Sequence, residues 1–183
     1  MYFSIIIPVY NRPDELDELL LSLCKQTYHH FEVIIVEDGS ELKSDKVVSK
    51  YYDRLSINYL EKPNSGPGLS RNAGAEQAQY DWLIFFDSDC IIPEHYLENV
   101  ATHLSNSKTD AYGGPDAALP SFSTTQKAIN YSMTSFFTTG GIRGSKKSMD
   151  KFHPRSFNLG VTKKAFNSIE GYGKMRFGED IDF

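Results

Sequence analysis

The chain has 183 residues, 40% of them hydrophobic, which suits one domain around one core and excludes a disordered or fibrous polypeptide. Nineteen Lys and Arg against 24 Asp and Glu leave a net charge of -5, so the basic surface that non-specific nucleic-acid binding depends on is missing and no nucleic-acid partner is expected. Two cysteines, Cys24 and Cys90, make neither a disulfide framework nor a CxxC metal site. The start Met1-Tyr2-Phe3 carries no basic leader, and the longest apolar run, Trp82 to Phe86, is far short of the ~20 residues a membrane span needs. A cytoplasmic location is the expectation.

Apolar runs alternate with amphipathic segments over the first 105 residues, which predicts a βαβαβαβα unit with a parallel sheet buried on both faces. The first strand is Phe3 to Val9. Pro13 opens a helix over Asp14 to Lys25, with Leu16, Leu19, Leu20 and Leu23 on one face and acidic residues in its first turns. Glu32 to Val36 reads as the second strand, Leu42 to Tyr52 as a helix and Ile57 to Leu60 as the third strand. A Pro- and Gly-rich loop, Lys62 to Gly68, leads into a helix over Leu69 to Gln79. Trp82 to Phe86 is the fourth strand, and Pro93 opens a helix to about Leu104.

Composition changes after that. Ala117 to Met149 has no acidic residue, four basic ones and eleven Ser or Thr, and its Thr138 to Lys147 portion reads as a mobile surface loop. Ser156 to Val161 is then expected as a strand and Lys163 to Ser168 as a short helix. The division predicted is a single domain with a nucleotide-binding half, residues 1–105, and an acceptor-side half, residues 106–183.

Asp87-Ser88-Asp89 directly follows the most apolar strand, at the strand end where open α/β sheets place their ligand crevice. In extended backbone, residues i and i+2 face the same side, so both carboxylates can meet one hard cation such as Mg or Mn, completed by diphosphate oxygens. The alternative is an acidic turn capping the next helix. Asp38-Gly39-Ser40 ends the second strand and puts another carboxylate at the same crevice, able to accept from a pyrimidine imide N–H. A helix cap is the alternative there. Asn11 and Arg12 follow the first strand in this layer, with Tyr10 available to lie against a base or ribose. A nucleotidyltransferase would want a glycine-rich, basic loop after that strand, which Pro8 to Pro13 lacks.

Ile5-Ile6-Ile7-Pro8-Val9-Tyr10-Asn11, Val36-Glu37-Asp38-Gly39-Ser40, Gly68-Leu69-Ser70-Arg71-Asn72-Ala73-Gly74, Asp87-Ser88-Asp89 and Gly178-Glu179-Asp180 together resemble the family 2 inverting glycosyltransferases, in order and spacing. The resemblance implies a GT-A, nucleotide-diphospho-sugar transferase fold: a Rossmann-like, mostly parallel α/β sheet flanked by helices. It implies a metal-dependent transfer from a nucleotide-sugar donor, UDP by family habit, to a glycan or lipid-linked sugar acceptor in polysaccharide synthesis. By position, Pro8 and Tyr10 would border the base with Asn11 beside them, Asp38 would read the base edge, and Arg71 and Asn72 would lie near the nucleotide. Asp87 and Asp89 would hold ribose and metal, and Asp180 would be the general base. Glu37 departs from the family's commoner Asp and is expected to be the less contacted member of its pair.

Arg143, Lys146 and Lys147 would suit a phosphate on the acceptor or on a lipid carrier at the inner membrane face, although a solvated loop is the better reading. The five histidines are assigned no chemistry. The chain stops three residues after Asp180, so the competing expectation is a fragment that binds nucleotide-sugar but transfers little.

Overall fold

Seven consecutive residues, Phe3–Val9, are buried without exception and form β1, the centre of the sheet. The computed structural model describes residues 1–114, 123–134 and 156–173. Around β1 lie β2 (Phe31–Asp38), β3 (Ile57–Lys62), β4 (Trp82–Phe85), β5 (Ala111–Gly113) and β6 (Leu159–Thr162). Their order is β3-β2-β1-β4-β6-β5. The first four are parallel, and β6 runs antiparallel to both β4 and β5.

Alternation along the strands sorts side chains into two layers. Ile5, Ile7, Val33, Ile35 and Ile84 face α1 (Pro13–Leu23), α2 (Asp45–Val48) and α4 (Tyr96–Asn106). Ile6, Ile34, Val36, Leu83 and Phe85 face α3 (Pro67–Gln77) and α6 (Lys163–Ser168). In α1, Pro13 is pre-set for the first turn and Asp14 and Glu15 suit the positive end of the helix dipole. Leu16, Leu19, Leu20 and Leu23 are at most 1% exposed, each burial being worth roughly 1.5–3 kcal/mol against full exposure.

Several elements depart from the sequence reading. β3 is half-buried rather than enclosed, because it is the sheet's edge. The helix expected from Leu42 starts only at Asp45 and tightens into a 3₁₀ turn at Ser49–Tyr51. Within the Ser/Thr-rich stretch, Thr124–Thr134 is a helix, α5. Ser156–Asn158 is a 3₁₀ turn, so the strand expected from Ser156 begins at Leu159. β5, three residues long, carries no strand pattern of its own; its place depends on Tyr112 pairing with Gly160. Residues on both sides of position 105 share one sheet, since β6 lies between β4 and β5.

Candidate active site

The crevice follows from where the ladders stop. β1 pairs with β2 up to Val9↔Glu37 but with β4 only up to Ile6↔Phe85. The Ile6 carbonyl accepts from Phe86 N at 3.1 Å, which fixes the β4-facing edge of β1. Pro8, two residues on, faces that same edge after β4 has ended, so its missing N–H breaks no ladder. The chain connections reverse direction between these two strands, the switch point where open α/β sheets bind ligands.

At the end of β2 two adjacent carboxylates serve opposite walls. Glu37, 1% exposed, faces the α1–α2 side. It accepts from Ser44 N at 2.8 Å, from the Tyr59 hydroxyl at 2.9 Å and from Ser40 Oγ. Burial, then the bond to Glu37, pushes the Tyr59 hydroxyl well above the usual tyrosine range, so Tyr59 remains a donor. Asp38 faces the α3 side, pairs with Lys62, and accepts from Ser65 N and Gly66 N, each at 2.9 Å. Gly39 has φ +71°, and a Cβ there would lie 2.6 Å from Asn64 N, so glycine is required where the β3–α3 loop crosses β2. Glu37 is thus as heavily contacted as Asp38, which corrects the expectation that it is the lesser partner.

β4 ends at Phe85, and Asp87 to Asp89 form a turn in which Cys90 N donates to the Asp87 carbonyl at 3.1 Å. The same-face argument for extended backbone therefore does not apply. Instead, each carboxylate meets a guanidinium from a different element. Arg71, 3% exposed on α3, donates to Asp87 Oδ1 at 2.7 Å and lies 5.2 Å from the Tyr172 ring centre. Arg12, just after β1, donates to Asp89 Oδ2 at 2.8 Å with both side chains half-exposed.

Tyr10 is 52% exposed at the mouth of the crevice. Asn11 is left-handed, φ 54°, and its Oδ1 accepts from Glu41 N at 2.8 Å and Leu42 N at 3.0 Å. Asn72 is engaged elsewhere than expected: its amide donates to the Tyr172 carbonyl at 2.8 Å and accepts from Tyr172 N at 2.9 Å, leaving it as a tie between α3 and the turn after α6. Tyr10, Asn11, Asp38, Asp87 and Asp89 lie at or just past the ends of the neighbouring strands β1, β2 and β4, Arg71 joins them through Asp87, and Asp38 is 3% exposed. Asp180 lies outside the described residues, as do Arg143, Lys146 and Lys147. Sequence reasoning missed Lys62 and Tyr172, whose roles come from contacts across the fold, and left Arg12 without a partner.

Two half-exposed carboxylates are hard oxygen donors. Among the described residues no group of three His, Cys, Asp or Glu side chains could hold a metal ion alone. By donor chemistry Asp87 and Asp89 fit a divalent cation only if its remaining ligands were supplied from outside this pair.

Solved structures that share this fold are glycosyltransferases of the GT-A kind. The Staphylococcus aureus TarS 1–349 structure in complex with UDP superposes with a TM-score of 0.77 at 25% identity, over 98% of this chain and 53% of that one. A Pyrobaculum calidifontis mannosyltransferase in complex with GDP-Man and Mn2+ gives 0.69 at 15% identity, over 94% and 47%, a likeness of fold alone. The chain belongs to glycosyl transferase family 2, whose profile matches residues 4–166. In sequence it is 36% identical over 114 residues to the poly(ribitol-phosphate) beta-N-acetylglucosaminyltransferase TarS of Staphylococcus aureus, 60% of this chain. That match covers 20% of TarS.

Proposed function

We propose that this chain is the donor-binding and catalytic part of an inverting glycosyltransferase that moves a sugar from a UDP-sugar to an acceptor hydroxyl on a glycan or a lipid-linked sugar. The observation that carries the reading is the convergence of Tyr10, Asp38, Asp87 and Asp89 at the β1–β4 switch point. TarS, whose structure with UDP has this fold, supports uridine as the base.

On this reading Tyr10 lies against the base, Asp38 accepts its imide N–H, and Pro8 and Asn11 shape the wall behind them. Arg71 holds Asp87 toward the ribose. Asp89, with Asp87 beside it, would hold Mn or Mg, which when bound offsets the charge that develops on the departing diphosphate. Transfer with inversion forms one bond from the acceptor oxygen to the anomeric carbon as the bond to the diphosphate oxygen breaks. Asp180 takes the acceptor hydroxyl proton, a contribution of ~10²–10⁴ in rate. Among the described residues no helix is long and apolar enough to cross a membrane. Work at the cytoplasmic membrane face on a lipid-linked acceptor is part of the proposal.

Thermal unfolding with UDP in Mn2+ and in EDTA tests this, read beside transfer from UDP-sugars. UDP is expected to raise Tm only with the cation, and Asp89→Ala is expected to remove that increment. Equal stabilisation in EDTA would overturn the metal role. Asp180→Asn should keep donor binding while turnover falls by ~10² or more; parallel loss of both would remove Asp180 from the chemical step.

A further inference from the structure

We infer that Glu37 is a positioning residue: through Ser40 and Asn11 it sets the β1–α1 turn that carries Tyr10 and Arg12, with Tyr59 on β3 as the outer anchor. The inference rests on the donor reading above only for the ligand it serves.

The chain of contacts is continuous, buried at Glu37 and opening toward solvent at Asn11. Glu37 draws only on uncharged donors: the Tyr59 hydroxyl and Ser44 N on Oε2, and Ser40 Oγ on Oε1. A carboxylate with 1% exposure is tolerated only when so satisfied, so each of the three donors is held in place by the charge it serves. Ser40 has a single hydroxyl proton, and it goes to Glu37. That commitment turns an oxygen lone pair toward Asn11 N, which donates to it at 2.8 Å. Asn11 is an asparagine with positive φ, a conformation that local hydrogen bonds must hold. It is held at both ends, by Ser40 on its N–H and by Glu41 N and Leu42 N on its Oδ1. The turn so fixed has Tyr10 on one side and Arg12, paired with Asp89, on the other.

Glu37 itself faces away from Asp38 and its loop, so its effect on ligand must pass through Ser40. A merely structural Glu37 would lower stability and leave the turn and the ligand alone. The two roles separate in the full chain with Tyr59→Phe, Ser40→Ala and Ser40→Thr. The readouts are hydrogen exchange at the Asn11 amide without ligand, and UDP affinity in Mn2+ well below Tm.

Tyr59→Phe, which loses one hydrogen bond, and Ser40→Ala, which loses two, are expected to speed Asn11 exchange and to weaken UDP by about three- to thirty-fold. Ser40→Thr keeps the hydroxyl and should stay near wild type. The double variant should be no worse than the weaker single, because both break one chain. A lower Tm with unchanged Asn11 exchange, or additive losses in the double variant, would overturn the inference. Tyr59→Phe removes one oxygen at the sheet edge and keeps the test available if Ser40→Ala does not fold. If the wild-type chain binds no UDP, the donor reading falls, and the response of Asn11 exchange to Tyr59→Phe decides the linkage by itself.

Discussion

The two flanks of β1 are held together by different forces. On the β2–β3 flank, strand ends and loops are joined by side chains bonded to backbone: Glu37 to Ser44 N, Asp38 to Ser65 N and Gly66 N, Asn11 to Glu41 N and Leu42 N. On the β4–β6–β5 flank aromatic packing carries more of the joint, beside the Asn72–Tyr172 and Tyr96–Asn158 hydrogen bonds. Phe85 packs on Phe166 and Tyr172 at 5.4 and 5.6 Å between ring centres, and Tyr112 covers Gly160. A largely apolar cavity of about 430 Å³ opens there between α4 and β5, lined by Tyr96, His103, Leu104, Tyr112 and Asn158 among others. Hydrogen bonds fix direction, whereas packing fixes distance and tolerates rotation. The first flank therefore arrives with its loops already set, as the base-edge role proposed for Asp38 requires.

The largest expected effect comes from cutting the first flank at Asp38. Asp38→Ala takes the carboxylate from the part-buried Lys62 ammonium, which keeps the Pro63 carbonyl and the Ser65 and Ser70 hydroxyls, and leaves two loop amides without their acceptor, at a cost of roughly 2–4 kcal/mol, and lowers UDP affinity about tenfold or more. Urea unfolding beside a UDP titration measures both. Full stability with binding lost would mean that Asp38 serves the ligand and not the loop.

On the other flank, Gly160→Ala puts a methyl 1.9 Å from the Tyr112 ring. Overpacking of this kind costs roughly 1–3 kcal/mol. UDP affinity measured on the folded fraction should hardly change, and a matching loss of affinity would break the distinction between the flanks.

The smallest effect lies where α1 meets the 3₁₀ turn after α2. The Tyr51 hydroxyl, then Lys50, hold the Asp17 carboxyl below its ordinary range. A lowered carboxylate stabilises the fold above its unfolded pKa and loses that share as pH falls through the folded value. Asp17 is partly exposed, so the contribution is about 0.5 kcal/mol. Urea midpoints from pH 6 to 3 should fall less steeply for Asp17→Asn, chiefly below about pH 4. A slope equal to wild type would show that this pair contributes nothing.

The first flank was the more legible from sequence, because local signals place it. Buried strands of six to eight residues, Pro13 at a helix start and Gly39 at a strand end need no distant partner to be recognised. Asp38, Asp87 and Asp89 could be singled out because they end or closely follow strands. β5 and the Asn72–Tyr172 tie could not be, since each depends on residues 46 to 100 positions away. Glu37 was misjudged for a related reason: its partners Ser40 and Ser44 are near in sequence, but Tyr59, which completes its shell, comes from the neighbouring strand.

The side-by-side placement of Glu37 and Asp38 also makes β2 intolerant of a change in length. Successive residues of a strand point to opposite faces, so changing its length by one residue between Phe31 and Val36 puts the wrong carboxylate in each place. An insertion would bring Glu37 to Lys62 and the Ser65–Gly66 amides, and a deletion would bring Asp38 to Tyr59 and Ser44. Indels in this strand should be accepted only in pairs, an even-number rule that a library of β2 length variants would expose.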